Sequence, residues 1–218
     1  FASFVGGSDA AFMANGRGAI YQALQILGVR KGDEVILPAF ICSVVADAVL
    51  RCSATPVLVD VEMPTGAIDL GLVLKALTVK TKAVLIPHLF GVPVDFRAIK
   101  EELQRRDVAI IEDCAHCLGG SVGASSVGTL GAFSVFSFNY DKPISLGNGG
   151  MLVCAGSQWL NAFRAWKAQG SCRSPSDIRD EYEEMMAFLG HLGVRRGQIR
   201  QTLLPGRLAV LKSRLLQY

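Results

Sequence analysis

The stretch "DFRAIKEELQRRDVAIIED", residues 95–113, joins an amphipathic segment to a continuously apolar one. In its first part, apolar residues recur at helical spacing among charged ones, which predicts a helix with one face on a core. The second part, "VAIIED", is short, apolar and closed by two acids, which is typical of a strand buried on both faces. A helix followed by such a strand is the repeating unit of parallel α/β folds.

The same alternation extends through the preceding sequence. Helix-like segments ("GAIYQALQILG", "SVVADAVLRC", "LGLVLKAL") alternate with strand-like segments ("DEVILP", "TPVLVDV", "KAVLIPHLF"). We therefore predict an α/β fold, with a mostly parallel sheet flanked by helices.

The pattern changes after Leu130. Two strand-like segments, "GAFSVFSF" and "GGMLVCAG", follow without a helix between them, so a loop must connect them, and this loop contains Lys142. A helix-like "QWLNAFRAWKAQG" comes next. We predict a large α/β domain over residues 1–156 and a helical extension over residues 157–218.

Composition narrows the possible functions. The 218 residues are 50% hydrophobic and 19% charged, and the mean hydropathy is +0.36, as in a globular chain. No apolar run is long enough for a membrane span. The net charge of +3 comes without an aromatic platform or a nucleic-acid-binding motif, so we expect neither a membrane nor a nucleic acid as partner. The six scattered cysteines favour reduced, buried thiols and a cytoplasmic protein.

Three kinds of chemical group follow predicted strands or open a predicted helix. "NGRG" begins the first long helix, whose backbone N–H groups can hold a phosphate. Asp113 and Ser137 end two strands, and Lys142 lies in the loop after the second. In parallel sheets, ligands bind beyond the carboxyl ends of the strands. An anion site, a carboxylate and a lysine together indicate pyridoxal 5′-phosphate (PLP).

Several motifs in this order resemble the DegT/StrS family of PLP-dependent sugar aminotransferases, which have the aspartate-aminotransferase-like fold. They are "NGRGAIYQAL", "GDEVILPAF" with "ATPVLVDV", "IPHLFGVPVD", "IIEDCAHCLGG" and "VGTLGAFSVFSFNYDKPISLGNGG". The resemblance extends from about Phe12 to Gly170. It implies a sheet of about seven strands and the family's large domain, with the small C-terminal domain missing.

The resemblance also implies roles for individual residues. Lys142 would be the Schiff-base lysine and general acid/base, and Asp113 the partner of the pyridinium nitrogen. His116 stands where the family has Gln or His against the cofactor. Ser137 would bind the phosphate.

Backbone groups of the first helix would complete the phosphate site, at Gly16, Arg17 and Gly18. Cys42 in "FICSVV" stands where many members carry an aromatic residue that stacks on the pyridine ring. We expect the thiol to replace that aromatic residue.

For a full-length relative the expected reaction is amino transfer from glutamate or glutamine to a keto group of a sugar nucleotide or cyclitol, by a homodimer. Asp141 before the lysine differs from the histidine of cysteine desulfurases, and a retained lysine differs from the histidine of sugar dehydratases. A truncated, non-catalytic paralogue acting in binding or assembly stays an alternative.

"CAHC", residues 114–117, contains the Cys-x-x-Cys spacing of some redox and metal sites. No second ligand pair at matching spacing accompanies it. We therefore predict no metal site and interpret Cys114 and Cys117 as two buried structural thiols that flank His116.

Overall fold

The computed structural model describes residues 1–170. Its helices and strands follow one another along the chain in the order α1 (Ala2–Val5), β1 (Asp9–Met13), α2 (Gly16–Ile26), β2 (Glu34–Pro38), α3 (Ser43–Arg51), β3 (Thr55–Val59), α4 (Leu70–Ala76), β4 (Thr81–Pro87), α5 (Arg97–Arg105), β5 (Ala109–Asp113), β6 (Ser121–Val122), β7 (Ser125–Ser126), β8 (Phe133–Ser137), β9 (Gly150–Cys154) and α6 (Leu160–Ala168).

Seven of the strands form one sheet, in the order β1-β9-β8-β5-β4-β2-β3. The strands β8, β5, β4, β2 and β3 pair in parallel, and β9 is antiparallel to both of its neighbours. The predicted α/β fold with a mostly parallel sheet of about seven strands is confirmed. The loop predicted between β8 and β9 explains the one reversed strand, since no crossover helix separates them.

Several elements differ from the prediction, among them the end of β4 and the strand β1, and the short elements α1, β6 and β7 were not predicted either. The segment "KAVLIPHLF" is a strand only as far as Pro87, and a 3-10 turn over Leu89–Gly91 follows. Strand β1 was not predicted. Its five residues contain two adjacent alanines and give too short a pattern to distinguish from a loop.

Core residues divide between the two faces of the sheet. One cluster joins the strands to α2, α3 and α6, and the other joins them to α4 and α5. Side chains alternate along a strand, so Asp113 shares the face of Ile111, and Ser137 shares the face of Val135. Both of these neighbours belong to the cluster of α2. Two of the predicted site residues therefore lie on the face that α2 covers.

Helix α6 packs on the sheet through Phe163, which is fully buried in the cluster of α2. The predicted helical extension over residues 157–218 lies mostly outside the described residues and stays a prediction, as does the boundary at residue 156. Within residues 1–170 no helix has the length and apolar character that crossing a bilayer requires.

Asp9 links β1 to α6. Lys167 Nζ donates to Asp9 Oδ1 and to the Ala10 carbonyl, each at 2.8 Å, and Arg164 Nε lies 3.4 Å from Asp9 Oδ2. Burial raises the pKa of the Asp9 carboxyl, but the hydrogen bonds from Lys167 and the Ala10 amide outweigh it and hold the pKa below its ordinary value. The ionised carboxylate therefore contributes to stability.

Changing Asp9 to asparagine should lower the free energy of unfolding at pH 7 by about 0.5–1 kcal/mol, because both cations are partly exposed and screened. A carboxyl whose pKa is depressed on folding stabilises above its unfolded pKa and stops doing so as the pH falls through its folded pKa. The difference from the parent chain should therefore close below about pH 4. Urea unfolding at several pH values measures it, with the exposed Asp60→Asn as control. A difference that persists at low pH would contradict the assigned role.

Candidate active site

The predicted site residues collect at one edge of the sheet, where β2, β4, β5 and β8 have their carboxyl ends. Asp113 is the last residue of β5 and Ser137 is the last residue of β8. The α2 helix begins at the same edge, since Asn15 just before it is bridged to Gly149 just before β9. Crossover connections produce this arrangement, because each helix returns the chain to the start of the next parallel strand.

Asn15 is the N-cap of α2. Its side-chain Oδ1 accepts the Gly18 N–H at 2.8 Å, so this amide serves the cap. Within residues 1–170 no acceptor contacts the N–H groups of Gly16 and Arg17. The Arg17 side chain points to Asp47, at 3.9 Å. Of the three backbone positions predicted for the anion site, the N–H groups of Gly16 and Arg17 are available to a ligand. The Gly18 N–H instead donates to the Asn15 side chain.

Glycines let three backbone segments meet around this helix start. A Cβ on Gly16 would lie 3.3 Å from Ser137 Cβ and 3.6 Å from Ser137 Oγ. A Cβ on Gly150 would lie 2.6 Å from the Asn15 carbonyl carbon and 2.8 Å from the Gly16 nitrogen. The Ser137 hydroxyl therefore lies beside Gly16 at the helix start, across a space that a side chain on Gly16 would occupy. This cradle fits a phosphate group.

Lys142 and His116 are in direct contact. Lys142 Nζ lies 2.9 Å from His116 Nε2 and 3.1 Å from Asp141 Oδ2, and its side chain is only 14% exposed. The backbone N–H of Lys142 donates to the Asn139 carbonyl at 3.0 Å, which fixes a turn in the β8–β9 loop. The loop therefore directs the lysine inward, as the predicted catalytic role requires.

The Asp113 carboxyl is close to the basic groups of this site. Burial raises its pKa, and four influences oppose that shift: the Ala115 N–H, which donates to Oδ1 at 3.1 Å, and the charges of His116, Lys142 and His88. A carboxylate that is costly to ionise gains from a cationic partner. The structure therefore brings Asp113, His116 and Lys142 together.

An aromatic stack covers His116. The Phe90 ring lies 6.2 Å from the imidazole at 26° to it, and the Phe40 ring lies 6.2 Å from Phe90. The Phe90 N–H donates to His116 Nδ1 at 3.4 Å. Neither phenylalanine is among the site residues predicted from the sequence. Their positions after β4 and β2, at the carboxyl edge of the sheet, are the signal that could have found them.

The sequence profile of the DegT/DnrJ/EryC1/StrS aminotransferase family matches residues 1–195. The chain belongs to this family. The resemblance drawn from the motifs is confirmed.

Three relatives illustrate what this family member is similar to. GDP-perosamine synthase of Vibrio cholerae is 35% identical over 78% of this chain and 46% of its own length. L-glutamine:2-deoxy-scyllo-inosose aminotransferase of Micromonospora echinospora is 30% identical over 91% of this chain and 48% of its own. The structure of the putative sugar aminotransferase Spr1654 from Streptococcus pneumoniae in its PLP form superposes with a TM-score of 0.71 at 25% identity, over 76% of this chain and 46% of that one. The chain spans about half the length of the relatives it matches.

Cys42 is the N-cap of α3 in this family member and is exposed, with no capping hydrogen bond from its side chain. It follows β2 at the same sheet edge as the other site residues. No contact of the thiol with Lys142, His116 or Asp113 is among the interactions of the described part of the chain. Its predicted position against a cofactor ring stays a prediction.

Glu112, beside Asp113 but on the other face of the sheet, forms a second buried polar centre. Its Oε1 accepts the N–H groups of Leu130 and Gly131 at 2.8 and 2.7 Å. Its Oε2 accepts the Gly128 N–H at 2.9 Å and faces His88 Nε2 at 3.2 Å. The Val94 N–H donates to His88 Nδ1 at 3.0 Å, so His88 Nε2 carries the proton that Glu112 accepts.

His88, Glu112 and Cys114 offer ligand atoms within 4.8 Å of one another, which is compatible with a metal ion. Hydrogen bonds already use both nitrogens of the His88 imidazole and both oxygens of the Glu112 carboxylate.

Burial raises the pKa of the Cys114 and Cys117 thiols, and neighbouring carboxylates raise it further. Both cysteines are buried and unbridged, as predicted for structural thiols. The cluster supports the fold around Asp113.

Proposed function

We propose that this chain contains the PLP-binding part of an aminotransferase that transfers an amino group from glutamate or glutamine to a keto group of a sugar nucleotide or cyclitol. The proposal rests above all on the 2.9 Å contact between Lys142 Nζ and His116 Nε2, beside the Asp113 carboxyl. The names of the relatives support both acceptor classes, a sugar nucleotide product and a cyclitol substrate, and one of them names glutamine as donor.

The residues present fit the cofactor group by group. The N–H groups of Gly16 and Arg17 and the Ser137 hydroxyl would hold the phosphate, with the dipole of α2 behind them. The Asp113 carboxylate would accept a hydrogen bond from the protonated ring nitrogen of the cofactor. The positive charge of that ring would offset the burial that raises the pKa of the Asp113 carboxyl.

Bound PLP supplies an electron sink for the carbon that loses its proton in transamination. Lys142 Nζ is the base that this chain offers for moving that proton. Its side chain is largely buried, and it rests against His116 Nε2 and Asp141 Oδ2, which hold the nitrogen in place. His116 in turn is held by the Phe90 ring and amide. These contacts therefore fix the position of Lys142 Nζ in the chain before a ligand binds.

We also propose that the protein acts as a homodimer in the cytoplasm. Five cysteines of the described residues are unbridged, which supports a reducing environment. The exposed rings of Phe40 and Phe90 lie at the same edge as Lys142 and are suited to burial by a partner or substrate.

The test is a PLP titration of the purified chain, followed by the absorbance of the bound cofactor. We expect the parent chain and a Lys75→Ala control, altered on the exposed side of α4, to give the red-shifted band of a covalently held cofactor. Lys142→Ala should abolish it. Asp113→Asn should weaken binding about tenfold to a hundredfold, through loss of a charged hydrogen bond. An unaltered band in Lys142→Ala, or no binding by the parent chain, would contradict the proposal.

A further inference from the structure

The dipeptide Asn-Gly occurs twice in this chain, at residues 15–16 and 148–149. An asparagine side chain loses its amide nitrogen most readily when glycine follows it, because glycine has no side chain to obstruct attack by its own backbone nitrogen. The sequence alone therefore gives both asparagines the same reactivity. The structure places them in different surroundings.

Asn15 is restrained by its role as the N-cap of α2. Its side-chain Oδ1 accepts the Gly18 N–H at 2.8 Å, and Gly16 is the first residue of the helix. For the Gly16 nitrogen to reach the Asn15 side-chain carbon, the side chain must rotate and this hydrogen bond must break. The cap therefore protects Asn15.

Asn148 lacks such a restraint. It is exposed and lies in the β8–β9 loop, outside any helix or strand. No hydrogen bond or ion pair of its side chain is among the interactions of residues 1–170. Glycines flank it on both sides, with φ of 81° at Gly147 and 111° at Gly149, so neither neighbour has a side chain that restricts rotation.

We propose that Asn148 is a site of spontaneous deamidation and that Asn15 is spared. The Gly149 backbone nitrogen attacks Asn148 Cγ, a bond forms between these two atoms, and the side-chain amide nitrogen leaves as ammonia with the proton of the Gly149 N–H. Water then opens the five-membered imide at either carbonyl and gives aspartate or isoaspartate. Water is the only co-reactant, and no atom is oxidised or reduced.

The product alters the surroundings of the phosphate cradle, and the effect on PLP rests on the proposed function. Gly149 is bridged to Asn15, and its carbonyl accepts the Phe138 N–H at 3.0 Å. Isoaspartate adds one carbon to the main chain directly before this restrained glycine. Both products also add a negative charge near a helix start that favours anions. Deamidation should therefore weaken PLP binding.

The experiment is incubation of the folded, cofactor-free chain at mildly alkaline pH, with peptide mass mapping over time. Replacement of NH₂ by OH is followed on the two Asn-Gly peptides. We expect Asn148 to react about tenfold faster than Asn15, because only Asn15 must first open a cap. In the urea-unfolded chain the two rates should approach each other. Equal rates in the folded chain, a faster Asn15, or a difference that persists after unfolding would overturn the proposal.

Two variants and the aged chain test the consequence for the cofactor. Asn148→Asp should weaken PLP binding about threefold relative to the neutral Asn148→Gln, since the added charge is exposed and screened. The isoaspartate form, separated from the aged parent chain by ion exchange, should bind more weakly than Asn148→Asp. An isoaspartate form that binds as tightly as the fresh chain would overturn this consequence. Absence of PLP binding by the fresh chain would count only against the proposed function, because the deamidation rates do not involve the cofactor.

Discussion

Replacing Glu112 by glutamine should lower the free energy of unfolding by about 3–5 kcal/mol. The carboxylate is fully buried and accepts three backbone N–H groups in addition to the proton of His88. Each oxygen faces two donors. Whichever way a glutamine amide turns, its NH₂ group opposes two of them and leaves them without an acceptor.

Equilibrium urea unfolding measures this loss, and Glu101→Gln on the exposed face of α5 is the matched control, expected within about 0.5 kcal/mol of the parent chain. A loss below about 1 kcal/mol in Glu112→Gln would show that the network is not the support described above. Because Glu112 precedes Asp113 and holds Gly128–Gly131, PLP binding should weaken in the same variant.

The second large effect is expected at Gly150, the first residue of β9. An alanine there would place its Cβ 2.6 Å from the Asn15 carbonyl carbon and 2.8 Å from the Gly16 nitrogen, both of which are backbone atoms. Backbone cannot rotate away, so the start of α2 must shift. We expect a loss of about 1–3 kcal/mol in stability, as for an overpacked core.

The same substitution should also weaken PLP binding more than tenfold, because the displaced amides of Gly16 and Arg17 are the ones proposed to hold its phosphate. Thermal unfolding and the PLP titration measure the two losses separately. Retention of full stability and affinity would mean that the helix start is not held against β9 as the structure describes.

The fold and the polar ends of the strands could be predicted from sequence, because both depend on local patterns. The apolar "VAII" run and its amphipathic helix identify a buried parallel strand, and the acids that close it then lie at a ligand-binding edge. The role of Lys142 as the Schiff-base lysine was predicted from the order of the family motifs, which can be read directly from the sequence. Strand alternation also places Asp113 and Glu112 on opposite faces of the sheet, so their different roles could have been predicted from the sequence.

The rest depends on contacts between segments distant in the chain. Asn15 could have been identified as an N-cap by its position, but its capture of the Gly18 amide shows only in three dimensions. The stack of Phe40, Phe90 and His116 joins three loops, and no spacing in the sequence encodes it. The left-handed backbone at Phe90 is likewise set by its neighbours, since phenylalanine has no preference for it.

The central claim is that Lys142 is the lysine that holds PLP. Incubation of the chain with PLP, borohydride reduction and peptide mass mapping tests it most directly. We predict one dominant reduced pyridoxyl adduct, on the peptide that contains Lys142, and loss of this selectivity among the lysines when the chain is denatured before PLP is added. An adduct that is spread over the exposed lysines, or concentrated on another lysine, would contradict the account.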